Sequence, residues 1–159
     1  MTHAPGPGTV LGLFTAPAAA TAIDAHDDVE VVAGRGVVGD RYFTGTGTYW
    51  REGKDGQDLT LIEQEALDAL RARGLDLDGA RARRNVVTRG IDLNALVGAR
   101  FSVGAVECVG RRLCDPCAHL ERLTAPGVLR GLVGRGGLRA DVVRGGTVRV
   151  GDPVARLGG

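Results

Sequence analysis

Apolar residues in this chain come in short runs separated by glycine-rich turns. Val10 to Phe14 is one such run and predicts a buried first strand. Val29 to Val32 predicts a second, leading into the bend Gly34-Arg35-Gly36-Val37-Val38-Gly39-Asp40. Asn85 to Thr88, Arg100 to Val103 and Ala105 to Val109 have the β-branched and apolar content of strands. Gly145-Gly146, between Leu138–Arg144 and Thr147–Val150, predicts a two-residue hairpin turn. One helix is expected where Thr60 and Glu63 have the spacing of a capping box, followed by the stripe Ile62, Ala66, Leu67 and Leu70 and a stop at Gly74. A second helix, interrupted near Pro126-Gly127, is expected between Ala118 and Val133. Tyr42 to Gly56 reads as a long loop rich in glycine, threonine and aromatics, and loops of that length usually serve a function.

Short strands spaced by turns, with a few helices, predict a mostly β, barrel-like single domain over residues 9–159, after a loose tail at residues 1–8. Strands and helices do not alternate regularly, which disfavours a doubly wound nucleotide fold. At 159 residues the chain is long enough to bury a substantial core. A formal net charge of +1 gives no field that would draw nucleic acid, and 4% aromatic residues leave little for base stacking. No apolar run approaches the roughly 18 residues of a membrane helix. The Pro5-Gly6-Pro7-Gly8 start lacks the charged and apolar regions of a signal peptide, so a cytoplasmic location is expected. Lys54 is the single lysine among many arginines, so a given arginine reads first as a solvated surface charge.

Three cysteines, an odd number, argue against a disulfide framework. Cys108 shares the strand parity of Val106 and is expected to act as a small core hydrophobe. Cys114 and Cys117 fall in a loop after that strand, with Arg111 and Arg112 in front and Pro116 stiffening the approach. Neighbouring cations raise the thiolate fraction that a nucleophile or metal ligand needs. Three readings of the loop remain open on residue types alone. One is a Cys-x-x-Cys redox pair, without the βαβ setting usual for it. Another is a zinc site drawing on Cys108, Cys114, Cys117 and His119. The third is a single cysteine on a metal carried by a larger cofactor. The glycine-rich stretches Gly34-Arg35-Gly36 and Gly134-Arg135-Gly136-Gly137 are read as turns, since neither completes a phosphate-binding fingerprint.

The order of several segments resembles the MOSC domain, the module shared with the C-terminal part of molybdenum cofactor sulfurase. They are Gly36-Val37-Val38-Gly39-Asp40, Leu59–Leu70, Arg83-Arg84-Asn85-Val86-Val87, Leu96 to Gly104, Pro116-Cys117 and Gly145 to Asp152. The resemblance implies a mostly β, barrel-like fold that binds molybdenum cofactor, with the Cys117 thiolate as catalytic residue and metal ligand. It implies Arg83 and Asn85 as cofactor-binding residues, with Arg112, Asp115 and His119 as further pocket residues. The implied activity is reduction of small N-hydroxylated compounds, with electrons from a separate redox protein. A sulfur carrier, holding a persulfide on Cys117, is the alternative. Tyr42 to Gly47 stand where many relatives carry a histidine-containing stretch.

Overall fold

A computed structural model of the chain describes residues 7–17, 23–45, 51–75, 82–114 and 135–158. In chain order the elements are β1 (Gly8–Thr15), β2 (Asp24–His26), β3 (Asp28–Val32), β4 (Gly36–Val37), β5 (Leu59–Glu63), α1 (Gln64–Ala72) and β6 (Val86–Arg89). After a 3-10 turn at Leu93–Leu96 come β7 (Arg100–Val103), β8 (Val106–Leu113), β9 (Leu138–Arg144), β10 (Gly146–Arg149) and β11 (Pro153–Arg156). The expectation of a mostly β domain is met.

Seven strands close on themselves in the order β1-β11-β7-β8-β9-β5-β6, with β6 returning to β1. β2 pairs with the far half of β1, and β10-β3-β4 form a separate small sheet. Closure leaves the barrel without open edges, which alternating strands otherwise expose. All the barrel pairings are antiparallel except β5 with β6. A parallel pair cannot be joined by a tight turn. The connection here is α1, which packs on the outside of the barrel.

Period-two alternation decides what points inward. On β5, Leu59 and Leu61 are buried in the interior, as are Leu138 and Ala140 on β9 and Phe101 and Val103 on β7. Each such Leu, Val or Phe contributes about 1.5–3 kcal/mol relative to an exposed side chain. Val29, Val31, Val37 and Val148 of the small sheet join the same core. Cys108 lies within it, fully buried, as its strand parity requires. A second, smaller core lies outside, where Ala66, Leu67 and Leu70 of α1 meet Ile62, Ala82 and Val87.

Three details depart from the sequence reading. Gly8 is not tail but the buried first residue of β1. The capping box does not form: Thr60 and Glu63 lie in β5, and α1 begins at Gln64 without a side-chain cap. The Thr60 hydroxyl is taken instead by Asn85. Gly145-Gly146 is no hairpin turn, because β9 pairs with β8 and β5 while β10 pairs with β3. The chain changes sheets there, and a Cβ on Gly145 would run into the Val31 carbonyl. Two glycines allow that close crossing, a need that mimics a turn signal in sequence. Among the described residues no helix is long and apolar enough to cross a membrane.

Candidate functional site

Strand ends and their flanking turns gather at one side of the barrel. β8 ends at Leu113, and β9 begins opposite it, Leu113 pairing with Leu138. Residues 115–134, which hold Asp115, Cys117, His119 and the expected second helix, lie outside the described residues. The structure shows the frame on which that segment is mounted. The Cys114 N–H donates to the Gly137 carbonyl at 2.7 Å, which closes its base. Gly137 sits at φ +110°, and a Cβ there would overlap the Leu61 carbonyl. Only glycine brings this stem so close to β5.

The triplet before β6 supplies the second wall. Arg83 has φ +59°, the one left-handed non-glycine among the described residues. Such a conformation costs on the order of 1–3 kcal/mol and tends to occur where function sets the geometry. The Arg83 side chain is half-buried. Burial, then the nearby Arg41 cation, press its guanidinium below the usual arginine range, and Asp40 opposes them. Arg84 is buried, and its Nε donates to the Gly136 carbonyl at 2.9 Å. It therefore clamps the far stem of the Cys117 segment to the triplet that carries Arg83.

Asn85 is buried at 8% exposure, and most of its amide is committed. Its Oδ1 accepts from the Thr60 N–H and hydroxyl, both at 3.1 Å, and its Nδ2 donates to the Phe14 carbonyl at 3.2 Å. One side chain thus fastens β1, β5 and the start of β6. A single amide N–H remains for a ligand. Asp40, 2% exposed, organises the neighbouring bend by accepting from the Ala16 and Tyr42 N–H groups and from Arg41 Nη1. That bears out the reading of Gly39-Asp40 as a tight bend.

The two arginines before the cysteine pair are not free cations. Arg111 Nε donates to Asp141 at 2.7 Å, and Arg112 Nη1 donates to Asp55 at 2.6 Å. Arg112 faces the same outer surface as Thr60 and Asn85, reached through Arg139 on β9. The interior position of Cys108 pushes its thiol up to about 12, burial being the largest cause and the charges of Asp58, Asp141 and Glu107 adding to it. A thiol so placed cannot share a metal with the loop, so the four-ligand zinc reading loses one ligand. Among the described residues no three His, Cys, Asp or Glu side chains converge to hold a metal ion.

A cleft of about 700 Å³ opens beside this frame, between the Tyr42–Gly45 turn, the 53–58 loop and the outer face of β8 and β9. Arg35 lies over the Phe43 ring at 4.2 Å on one wall. Asp58, which also lines the cleft, has its carboxyl pushed above the usual range by burial, with the Val142 N–H opposing and the Asp141 charge adding. Sequence reasoning missed Arg84 as a clamp and Thr60 as the partner of Asn85. It also missed Arg139, whose signal was its outward parity between Leu138 and Ala140.

A model of the MOSC domain family matches residues 48–155. The chain belongs to the MOSC domain family. Among solved structures it is similar to the YUAD protein from Bacillus subtilis, at 18% identity and a TM-score of 0.76, over 92% of this chain and 94% of that one. It is also similar to YiiM from Escherichia coli, at 17% identity and a TM-score of 0.65, covering 96% of this chain and 69% of that one. YiiM from Geobacillus stearothermophilus gives 13% identity and a TM-score of 0.63, over 97% and 75% of the two chains. Identities this low speak to the MOSC fold alone. No curated protein sequence matches the chain.

Proposed function

We propose that this MOSC protein binds molybdenum cofactor through Cys117 and is an oxidoreductase that reduces small N-hydroxylated compounds. The observation that carries the reading is the mounting of the Cys117 segment. Its stems are closed by the Cys114–Gly137 hydrogen bond and clamped by Arg84 beside the strained Arg83. Backbone strain and a buried arginine stand beside the stems that flank that segment.

The donor set suits such a cofactor. A metal that brings its own sulfur ligands needs one soft thiolate from the protein, and no convergent His, Cys, Asp or Glu trio stands among the described residues to hold a bare ion. The cofactor's phosphate is anionic, and this end of the barrel is rich in arginine. When bound, the cofactor supplies two-electron chemistry and oxygen-atom transfer; the chain supplies position and electrostatics. Arg83, held by its backbone beside the Arg84 clamp, offers a cation for an anionic group. Asn85 holds the three strands in register beneath it. The 700 Å³ cleft, lined by Phe43 and Asp58 among others, is of a size for a small substrate. Electrons come from a separate redox protein.

The sulfur-carrier alternative drew on Arg111 and Arg112 as activating cations. Both are ion-paired, which weakens that activation for a carrier and a metal ligand alike. The test is turnover of an aromatic amidoxime with a reduced viologen as artificial electron donor, using protein made in a host that synthesises the cofactor. Amidine formation by the wild type and its loss in Cys117→Ala are expected. Equal turnover by both proteins would refute the role of Cys117. Appearance of one extra sulfur atom on Cys117, without turnover, would favour the carrier.

A further inference from the structure

β8 and β9 bring two arginines to directly opposed positions. Arg112 and Arg139 are cross-strand partners, and such partners project from one face with Cβ atoms about 4.5–5.5 Å apart. Like charges so placed repel each other unless a counter-charge compensates. Arg112 has Asp55, at 2.6 Å. Among the described residues Arg139 has no carboxylate within ion-pairing distance.

The loop that carries Asp55 adds a third cation. Gln57 is buried, and its amide folds the loop around itself. Its Oε1 accepts from the Arg51 N–H at 2.7 Å, and its Nε2 donates to the carbonyls of Arg51 and Lys54 at 2.5 and 3.1 Å. The Gly56 N–H donates to Asp141 at 2.6 Å, which ties the loop to β9. Lys54, next in the chain to Asp55, is thereby kept near Arg112, which pairs with Asp55. Burial, then the charges of Arg112, Arg139 and Arg51, lower its affinity for a proton, with Asp55 opposing. Arg112 and Arg139 on the strands and Lys54 on the loop thus lie together, with Asp55 pairing Arg112. Arg112 lies two residues before Cys114, and Arg139 two after Gly137, so the cluster sits under both stems of the Cys117 segment.

We propose that Arg112, Arg139 and Lys54 form a binding site for a phosphate group. Guanidinium groups offer paired donors to oxyanions, and a lysine adds a compact charge. Assigning that phosphate to the cofactor rests on the reading above. It goes beyond that reading by adding Arg139 and Lys54 to the residues that hold the ligand.

The test is a titration of the full chain, purified without cofactor, followed by NMR of the arginine Nε–H groups. The probes are phenyl phosphate, inorganic phosphate and sodium chloride at matched ionic strength. Saturable shifts at Arg112 and Arg139 with either phosphate, absent with chloride, are expected. Tighter binding of phenyl phosphate would mark the occupant as a phosphate ester, and tighter binding of inorganic phosphate would mark it as the free ion. Arg139→Gln should weaken binding by at least about tenfold, the loss of one charge-assisted hydrogen bond, without lowering the unfolding midpoint. Shifts that chloride reproduces, or unchanged affinity in Arg139→Gln, would overturn the site. Molybdenum in the Cys117→Ala variant is a separate readout, so this site and the cofactor reading fail independently.

Discussion

Asn85 occupies a position where an asparagine can either face a ligand or fasten the fold, and its hydrogen bonds show how far the second task goes. Removing the amide in Asn85→Ala strands the Thr60 N–H and the Phe14 carbonyl in a partly buried setting. Urea denaturation should show a loss of about 2 kcal/mol, and an unchanged midpoint would contradict the fastening role. Residue type alone carried the ligand reading, because hydrogen bonds to Thr60 and Phe14, 25 and 71 positions away, leave no local pattern. Asp58 gives a pH signature. Burial raises its folded-state pKa, so the folded chain takes up its proton more readily than the unfolded one. The stability this contributes is full below the ordinary aspartate range and is lost as pH rises through the raised value. The stability of the wild type relative to Asp58→Asn should therefore fall as pH rises from the ordinary aspartate range through the raised value. A difference that grew toward neutral pH would contradict the assignment.

Among the elements, the ends of β8 and β9 matter more than their middles. They are held together by strand pairing, by the Cys114–Gly137 bond and by Arg84 reaching across from the triplet before β6. Arg84→Met keeps the aliphatic packing and removes the clamp. Faster hydrogen exchange at Gly137 and Leu138, with β1 and β7 unchanged, is the expected result; uniform exchange changes would mean that Arg84 supports the whole fold instead. Gly137→Ala forces a side chain into the Leu61 carbonyl and should cost about 2 kcal/mol or more. Most strands were readable in the sequence because period two and turn residues are local signals. The capping box failed because Thr60 lies in a strand and bonds to Asn85. The hairpin failed because the two glycines of 145–146 serve a crossing between sheets, and glycine marks close approach and turns alike.

At the scale of the whole molecule, a closed seven-stranded barrel with an apolar interior leaves the chemistry to its outer face and rim. The barrel-like class followed from short, evenly spaced strands, but its closure did not. The link from β1 to β11 joins the two ends of the sequence, and the parallel β5–β6 pair lies across α1. Cys117 stood out through the residues around it; the Arg112–Arg139 pair needed the register of β8 on β9, and the clamp needed the third dimension. Closure also accounts for the burial of Cys108. Cys108 is sealed inside the barrel and should resist alkylation until the protein unfolds. Cys114 is buried where β8 ends, and the function proposed above puts the metal on Cys117 instead.

The most direct test is the molybdenum content of wild-type and Cys117→Ala protein, both purified from a host that makes the cofactor, with far-ultraviolet circular dichroism confirming that each is folded. About one molybdenum per wild-type chain, lost in the variant, is the predicted result. Equal molybdenum in the two proteins, or zinc in its place in the wild type, would contradict Cys117 as the ligand of a molybdenum cofactor.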